Sequence, residues 1–286
     1  MKTDNLMKKV TDRIAENLSS DNWKKPWGKL ATGDAPHNAI TGRPYSGVNV
    51  LILSLNDYSS NSWLTFKQAK ELGGSVKRYE NGEQIVYWKK VKKKVDKPSF
   101  DDNGNEIPSS YMLMRTYTVF NIEQCENLDT NKLKKFEPLK VNAGSAVELA
   151  DDMGANVNFG GNQACFIPSV DVIKVPHLSA FDNQENFEAT LLHELTHWTG
   201  HSDRLNRTKG KAFGDRDYAF EELIAELGAA MAGALLGLPY EGLQHEKYIA
   251  SWLKSFDGDA KYLYDAAKYA QKAVDYMVEN LSLIHI

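Results

Sequence analysis

The segment Ala189 to His201 reads ATLLHELTHWTGH, and within it His193, Glu194 and His197 stand in HExxH spacing. On an α-helix, residues i and i+4 lie a turn apart on one face, so both imidazoles can reach one cation. Glu194, one position on, can then take a proton from water held beside it. A zinc ion with two histidines, a carboxylate and an open position brings the pKa of its water to about 7 and polarises a carbonyl. That chemistry suits peptide-bond hydrolysis with Glu194 as the base. Leu191, Leu192 and Leu195 supply apolar surface that would bury such a helix. Another divalent metal fits the same donors.

Several residues compete for the third ligand position. The segment Glu221 to Ala229, EELIAELGA, resembles the ExxxD element of the gluzincins, in which a second helix supplies a ligand glutamate and, one turn later, an acidic residue orients the first histidine. That resemblance makes Glu222 the ligand and Glu226 the orienting group, with glutamate where aspartate is usual. Metal-bound histidines generally have such an outer partner. HELTHWTGHSD also fits HExxHxxGxxD, a metzincin-like variant in which Asp203 would ligate, and His201 and Glu221 are further options. In an unbroken helix His201 lies roughly 12 Å along the axis from His193, so it needs a turn at Gly200. Glu222 is favoured because its helix is rich in small residues and can pack closely. Tyr218, Tyr248 and His245 are candidate transition-state donors without spacing support.

The second half must position this site. Its pattern predicts a helix around Ser145 to Met153 and short strands near Val157 to Phe159, Ala164 to Ile167 and Val172 to Val175. Helices follow at about 184 to 199, 217 to 236 and 241 to 281, the last with a break near Gly258.

The first half differs in character. Leu6, Val10, Ile14 and Leu18 mark an amphipathic helix, and Pro26, Pro36 and Pro44 fall in a turn-rich stretch from Ser20 to Gly47. Helices are predicted at Val48 to Leu55 and Leu64 to Leu72. Gln84 to Val95 and Tyr111 to Ile122 read as long strands of one antiparallel ribbon, joined by a polar loop with Asn103-Gly104 at its tip. Residues 123 to 142 lack a clear period and read as a connection.

Four of the six tryptophans, Trp23, Trp27, Trp63 and Trp88, lie in the first 88 residues beside lysines. NWKKPWGK and YWKKVKKK set Trp23, Lys24, Lys25 and Trp27, and then Trp88, Lys89, Lys90, Lys92, Lys93 and Lys94, in the combination that stacks bases and follows a phosphate backbone in single-stranded nucleic acid. The competing reading is that the tryptophans are core and the lysines protect a sheet edge.

The chain has 286 residues, 42% hydrophobic and 25% charged, which excludes a disordered or collagen-like polymer and suggests two globular units. The net charge of -4 hides an asymmetry. Residues 1 to 125 carry 19 Lys and Arg against 14 Asp and Glu, and residues 126 to 286 carry 15 against 24. Only the first half is therefore basic. Cys125 and Cys165 form no metal-binding or disulfide pattern, which fits a reducing cytoplasm. The charged N-terminus does not read as a signal peptide, and the 12-residue apolar run Leu227 to Leu238 is too short to cross a membrane.

HNAITGRPYSGVNVLIL (37 to 53), WLTFKQAKELGGSVKRYENGEQIVYWKK (63 to 90) and FNIEQCENL (120 to 128) resemble the ArdC-type antirestriction proteins of conjugative plasmids. ACFIPSVDVIKVP, LLHELTHWTGHSDRLNR and YAFEELIAELGAA resemble that family's zincin-like domain. The resemblance spans nearly the whole chain, to about residue 280. It implies an α+β architecture, with an N-terminal single-stranded DNA-binding domain (1–125) containing the ribbon, a linker (126–142) and a C-terminal zincin-like metallopeptidase domain (143–286). It also implies protection of incoming mobile-element DNA, His193 and His197 as ligands and Glu194 as the catalytic glutamate. Two other roles fit the same features: a DNA-binding shield with a structural or vestigial metal site, and a DNA-dependent protease acting on DNA-bound or crosslinked proteins.

Overall fold

A computed structural model describes residues 34–92, 99–100, 106–107, 110–139, 145–207, 216–238 and 260–280. The architecture is α+β. In the first half, β4 (Glu83–Lys92) and β7 (Ser110–Asn121) pair antiparallel over ten residues, from Glu83↔Val119 to Lys92↔Ser110. On the other side of β7 lies β2 (Ser62–Thr65), and β1 (His37–Asn38) runs parallel to β2, giving the order β1-β2-β7-β4. Their β-branched and aromatic content favours this pleated surface. Between β4 and β7, β5 (Ser99–Phe100) pairs with β6 (Glu106–Ile107). The Asn103-Gly104 tip lies outside the described residues.

Helix α1 (Val48–Ser54) is apolar nearly all round, and six of its seven residues are buried, as such a pattern requires. Its Asn49 side chain donates to the Val86 carbonyl and accepts from the Val86 amide, both at 2.8 Å. A side chain thus replaces the missing neighbour at one point of the β4 edge. Helix α2 (Phe66–Glu71) begins two residues later than its sequence predicts, because Trp63 and Leu64 are buried within β2. Thr65 instead caps α2. Its hydroxyl accepts from the Gln68 amide, and the Gln68 side chain accepts from the Thr65 amide.

The segment after β7, described to residue 139, is tied to the rest of the fold at separate points. β8 (Cys125–Glu126) pairs with β3 (Ser75–Val76), the Lys134 amide donates to the Ala39 carbonyl, and the Leu139 amide donates to the Leu235 carbonyl in the second half. Cys125, Leu64, Ala69 and Leu72 form a small core beneath α2.

In the second half, α3 (Ala146–Asp152) is capped by Ser145. The strands β9 (Asn156–Phe159), β10 (Cys165–Ile167) and β11 (Val172–Val175) form a sheet in the order β10-β11-β9 with β10 on its edge. Helix α4 (Gln184–Thr199), capped by Asn183, packs on β10 and β11. Helices α5 (Arg216–Leu236) and α6 (Ala260–Glu279) complete the layer. Residues 239–259, including His245, Tyr248 and the Gly258 break, lie outside the described residues, as does the predicted helix at Leu6 to Leu18. One buried cluster runs from α1 and the first sheet through α4, α5 and α6. No described helix is long and apolar enough to cross a membrane.

Candidate metal centre

Two helices meet at the centre. Twelve of the sixteen residues of α4 are buried, and α5 approaches it through alanine and glycine. Gly228 decides the spacing: a Cβ there would stand 2.5 Å from Thr196 Cγ2, so only glycine permits this approach. Close packing carries the acidic face of α5 onto the histidine face of α4.

His193, His197 and Glu222 each offer a donor atom within 4.8 Å of the others. The two Nε2 atoms are 3.1 Å apart, His193 Nε2 is 3.5 Å from Glu222 Oε2, and His197 Nε2 is 3.5 Å from Glu222 Oε1. Ligands each about 2.0–2.1 Å from a tetrahedral ion stand about 3.3–3.4 Å apart, so this donor set can close around one divalent cation.

A second ring of charges fixes the imidazoles. His193 Nδ1 lies 3.5 Å from Oε2 of Glu226, which is 0% exposed, and His197 Nδ1 lies 3.2 Å from Glu221 Oε1. Each ring is held at Nδ1, which leaves Nε2 facing the common point. Glu221 is held in turn by the buried Arg207, whose Nη2 and Nε donate to its two oxygens at 2.8 and 3.1 Å. Arg207 also donates to Thr199 Oγ1 and the Thr196 carbonyl of α4. Gly200 makes room for it, since a Cβ there would stand 2.7 Å from Arg207 Nη2.

These contacts set the charges of the cluster. Burial pushes both imidazoles down. The carboxylates of Glu222 and Glu226 outweigh it at His193, those of Glu221 and Glu222 outweigh it at His197, and both rings end above the ordinary histidine value. Burial pushes Glu221 and Glu222 up, but the histidines, with Arg207 beside Glu221, hold both below the usual carboxylate range.

Glu194 is buried on α4, close enough to act electrostatically on His193 and on the Cys165 thiol of β10. Asp203 and His201 do not join the cluster. The chain does turn after Gly200, but His201 Nε2 donates to the Pro168 carbonyl at 3.2 Å and Asp203 is 81% exposed. Arg204 ties that turn down, forking onto Asp171 and lying 3.7 Å above the Trp198 ring. Tyr218 lies on α5 and is half-buried.

Sequence reading missed Glu221 as the partner of His197 and gave Arg207 no role. The Glu221-Glu222 doublet was the available signal: neighbours on a helix point about 100° apart, so two adjacent carboxylates can serve two rings from different sides. Nothing in the spacing shows Arg207 folding back onto α4.

The residues expected to contact nucleic acid are less completely visible. Trp23, Lys24, Lys25, Trp27, Lys93 and Lys94 lie outside the described residues. Trp88, Lys89, Lys90 and Lys92 fall within β4, with Lys89 exposed. Trp63, counted with the basic aromatic segments, is instead core, 1% exposed and edge-on to Tyr58.

Comparison with known proteins matches two family models in order. Residues 4–120 match the N-terminal domain of anti-restriction factor ArdC, and residues 145–269 match a zincin-like metallopeptidase. The antirestriction ArdC protein from the R388 plasmid has a similar fold. Its metal-free crystal structure aligns at a TM-score of 0.74 and 34% identity, over 96% of this chain and 97% of that one. Its Mn(II)-bound structure aligns at 0.76 and 31%, over 98% and 99%. An uncharacterized protein, y4eC, of Sinorhizobium fredii is 30% identical over 95% of this chain and 91% of its own length. A DNA primase TraC of Escherichia coli is 35% identical over 94% of this chain, which spans only 26% of that protein. With its two halves matched in order and its fold aligned end to end, the chain belongs to the ArdC antirestriction family and carries that family's zincin-like domain.

Proposed function

We propose that this protein binds single-stranded DNA, protects incoming mobile-element DNA and carries a metal-dependent peptidase centre with His193, His197 and Glu222 as its ligands. The observation that carries the metal reading is the convergence of these three donors while separate buried carboxylates hold both histidines at Nδ1. The Mn(II)-bound relative supports a divalent cation, and the zincin-like domain favours zinc in the cell.

When bound, the cation would acidify a water and polarise a peptide carbonyl. Glu194 takes the proton from the attacking water at its carboxylate and returns it to the leaving amine. Among the described residues β10 is an edge strand packed against α4, and an extended peptide laid along it would lie beside the metal helix. The proposed substrate is a protein bound to the same DNA. The ArdC N-terminal match and the basic first half support the nucleic-acid partner.

Glu194→Gln tests the catalytic part. The variant is expected to retain zinc and single-stranded DNA but to lose cleavage of DNA-bound protein by a factor of about 100 or more, with protection lost alongside. If Glu194→Gln gives full protection in a conjugation assay, the protein acts as a binding shield and its metal is structural. Cleavage of a crosslinked model substrate only when single-stranded DNA is present would favour a DNA-dependent protease.

A further inference from the structure

A groove of about 680 Å³ runs between the β4–β7 ribbon, the segment 38–49 and α6. The register sets its floor: Ile85 pairs with Tyr117 and Tyr87 with Arg115, so Tyr87, Lys89, Arg115 and Tyr117 share one face of the ribbon. Tyr87 and Tyr117 are 52% and 41% exposed and meet edge to face at 6.1 Å. Two rings left this open on a sheet forgo the burial that usually justifies an aromatic residue, and they offer flat surfaces to a ligand.

The walls are cationic. Exposed Lys268 and Lys272 stand one turn apart on α6, and exposed Arg43 comes from the facing segment. Asp275 is the one acidic residue among the described lining, and it accepts a hydrogen bond from Gln271. The same Gln271 accepts from the Gly47 amide at 2.8 Å, which joins the two halves at the base of the groove.

We infer that this groove holds single-stranded nucleic acid, with bases stacked on Tyr87 and Tyr117 and phosphates near Arg43, Lys268 and Lys272. The inference rests on the single-stranded DNA reading above and locates it. Ring faces at the floor of a groove can stack only on bases free of a duplex, and the surrounding cations match a phosphate backbone. Tyr87 opens the YWKKVKKK segment singled out in the sequence, whereas Tyr117, Arg43, Lys268 and Lys272 lie outside the tryptophan and lysine segments, and one wall of the site belongs to the acidic half. That wall also supports the metal helix, because Tyr276 of α6 packs edge-on against Trp198 of α4 at 6.3 Å.

The test uses the full chain and fluorescence anisotropy with labelled oligo-dT, over about 50–200 mM salt. Y87A/Y117A is expected to weaken binding about 25-fold or more, since each stacked base contributes a factor of about 5 or more, while Y87F/Y117F keeps it. K268Q/K272Q is expected to lower the salt slope by about 1.4, or 0.7 for each lost contact. Poly-glutamate, which matches the charge but cannot stack, should compete poorly. If the wild-type chain binds oligo-dT while both the alanine and glutamine variants bind within about twofold of it, the groove assignment falls and the DNA reading stands. A wild-type chain that ignores oligo-dT at low salt overturns both. Equal competition by poly-glutamate would replace the nucleic acid with an acidic protein partner.

Discussion

Arg207→Met removes a guanidinium from the interior while keeping most of the stem volume. Arg207 is buried, and its nitrogens reach both oxygens of Glu221, Thr199 Oγ1 and the Thr196 carbonyl at 2.6–3.1 Å. Without it, the buried Glu221 carboxylate keeps His197 as its partner in this cluster. Removing one member of a buried ion pair costs about 3–5 kcal/mol. At roughly 2–4 °C per kcal/mol for a protein near this size, the metal-free melting temperature should fall by roughly 6–20 °C. Zinc affinity should also fall about 10–100-fold, the usual effect of loosening a histidine's outer partner. Thermal unfolding and zinc titration on one preparation measure both effects. R207M/E221L removes both charges, so it should recover most of the lost stability, while zinc affinity stays low because His197 Nδ1 has lost its carboxylate. A stability loss below about 1 kcal/mol for Arg207→Met, or a double variant no more stable than the single one, would refute the reasoning.

Gly228→Ala forces a methyl group against Thr196, so it should cost about 1–3 kcal/mol in denaturant unfolding and weaken zinc binding by moving α5 off α4. Glu226→Gln should lower zinc affinity about 10–100-fold in a competition titration without changing oligo-dT binding. The metal-free protein should also show a defined pH dependence. The raised imidazoles of His193 and His197 contribute stability that is complete below about pH 6.5 and lost as pH rises through their raised values. The depressed Glu221 and Glu222 contribute above about pH 4.5 and lose that contribution as pH falls. Zinc binds deprotonated imidazole, so the rise in melting temperature on adding zinc should grow as pH increases above about 6.5. An unchanged rise from about pH 6 to 9 would contradict the proton competition.

Local patterns were readable because they depend on nearby residues. The 3.6-residue period of Gln184–Thr199 and the alternation in Val172–Val175 place those elements to the residue or nearly so. Thr65 was harder to read: the apolar spacing of Leu64 to Leu72 matches a helix, yet Trp63 and Leu64 gain more by filling the space between β1 and β7. The aromatic-basic composition pointed to nucleic acid but not to a surface, and it drew Trp63 into a group that burial excludes.

The sequence alone determined the HExxH face and the divided charge, because an i, i+4 pair and a composition need no knowledge of distant neighbours, and its family resemblance implied the α+β class. Tertiary structure alone brought Glu221, Glu222 and Glu226 to the two histidines, sent Asp203 to the surface and laid Arg207 beneath Glu221. It also closed a groove between Tyr87 and Tyr117 on one side and Lys268 and Lys272 on the other, more than 150 residues away in the chain. The physical reason is close packing: Gly228 and Gly200 determine how near the elements come, and that distance, absent from any single segment, decides which charges share a site.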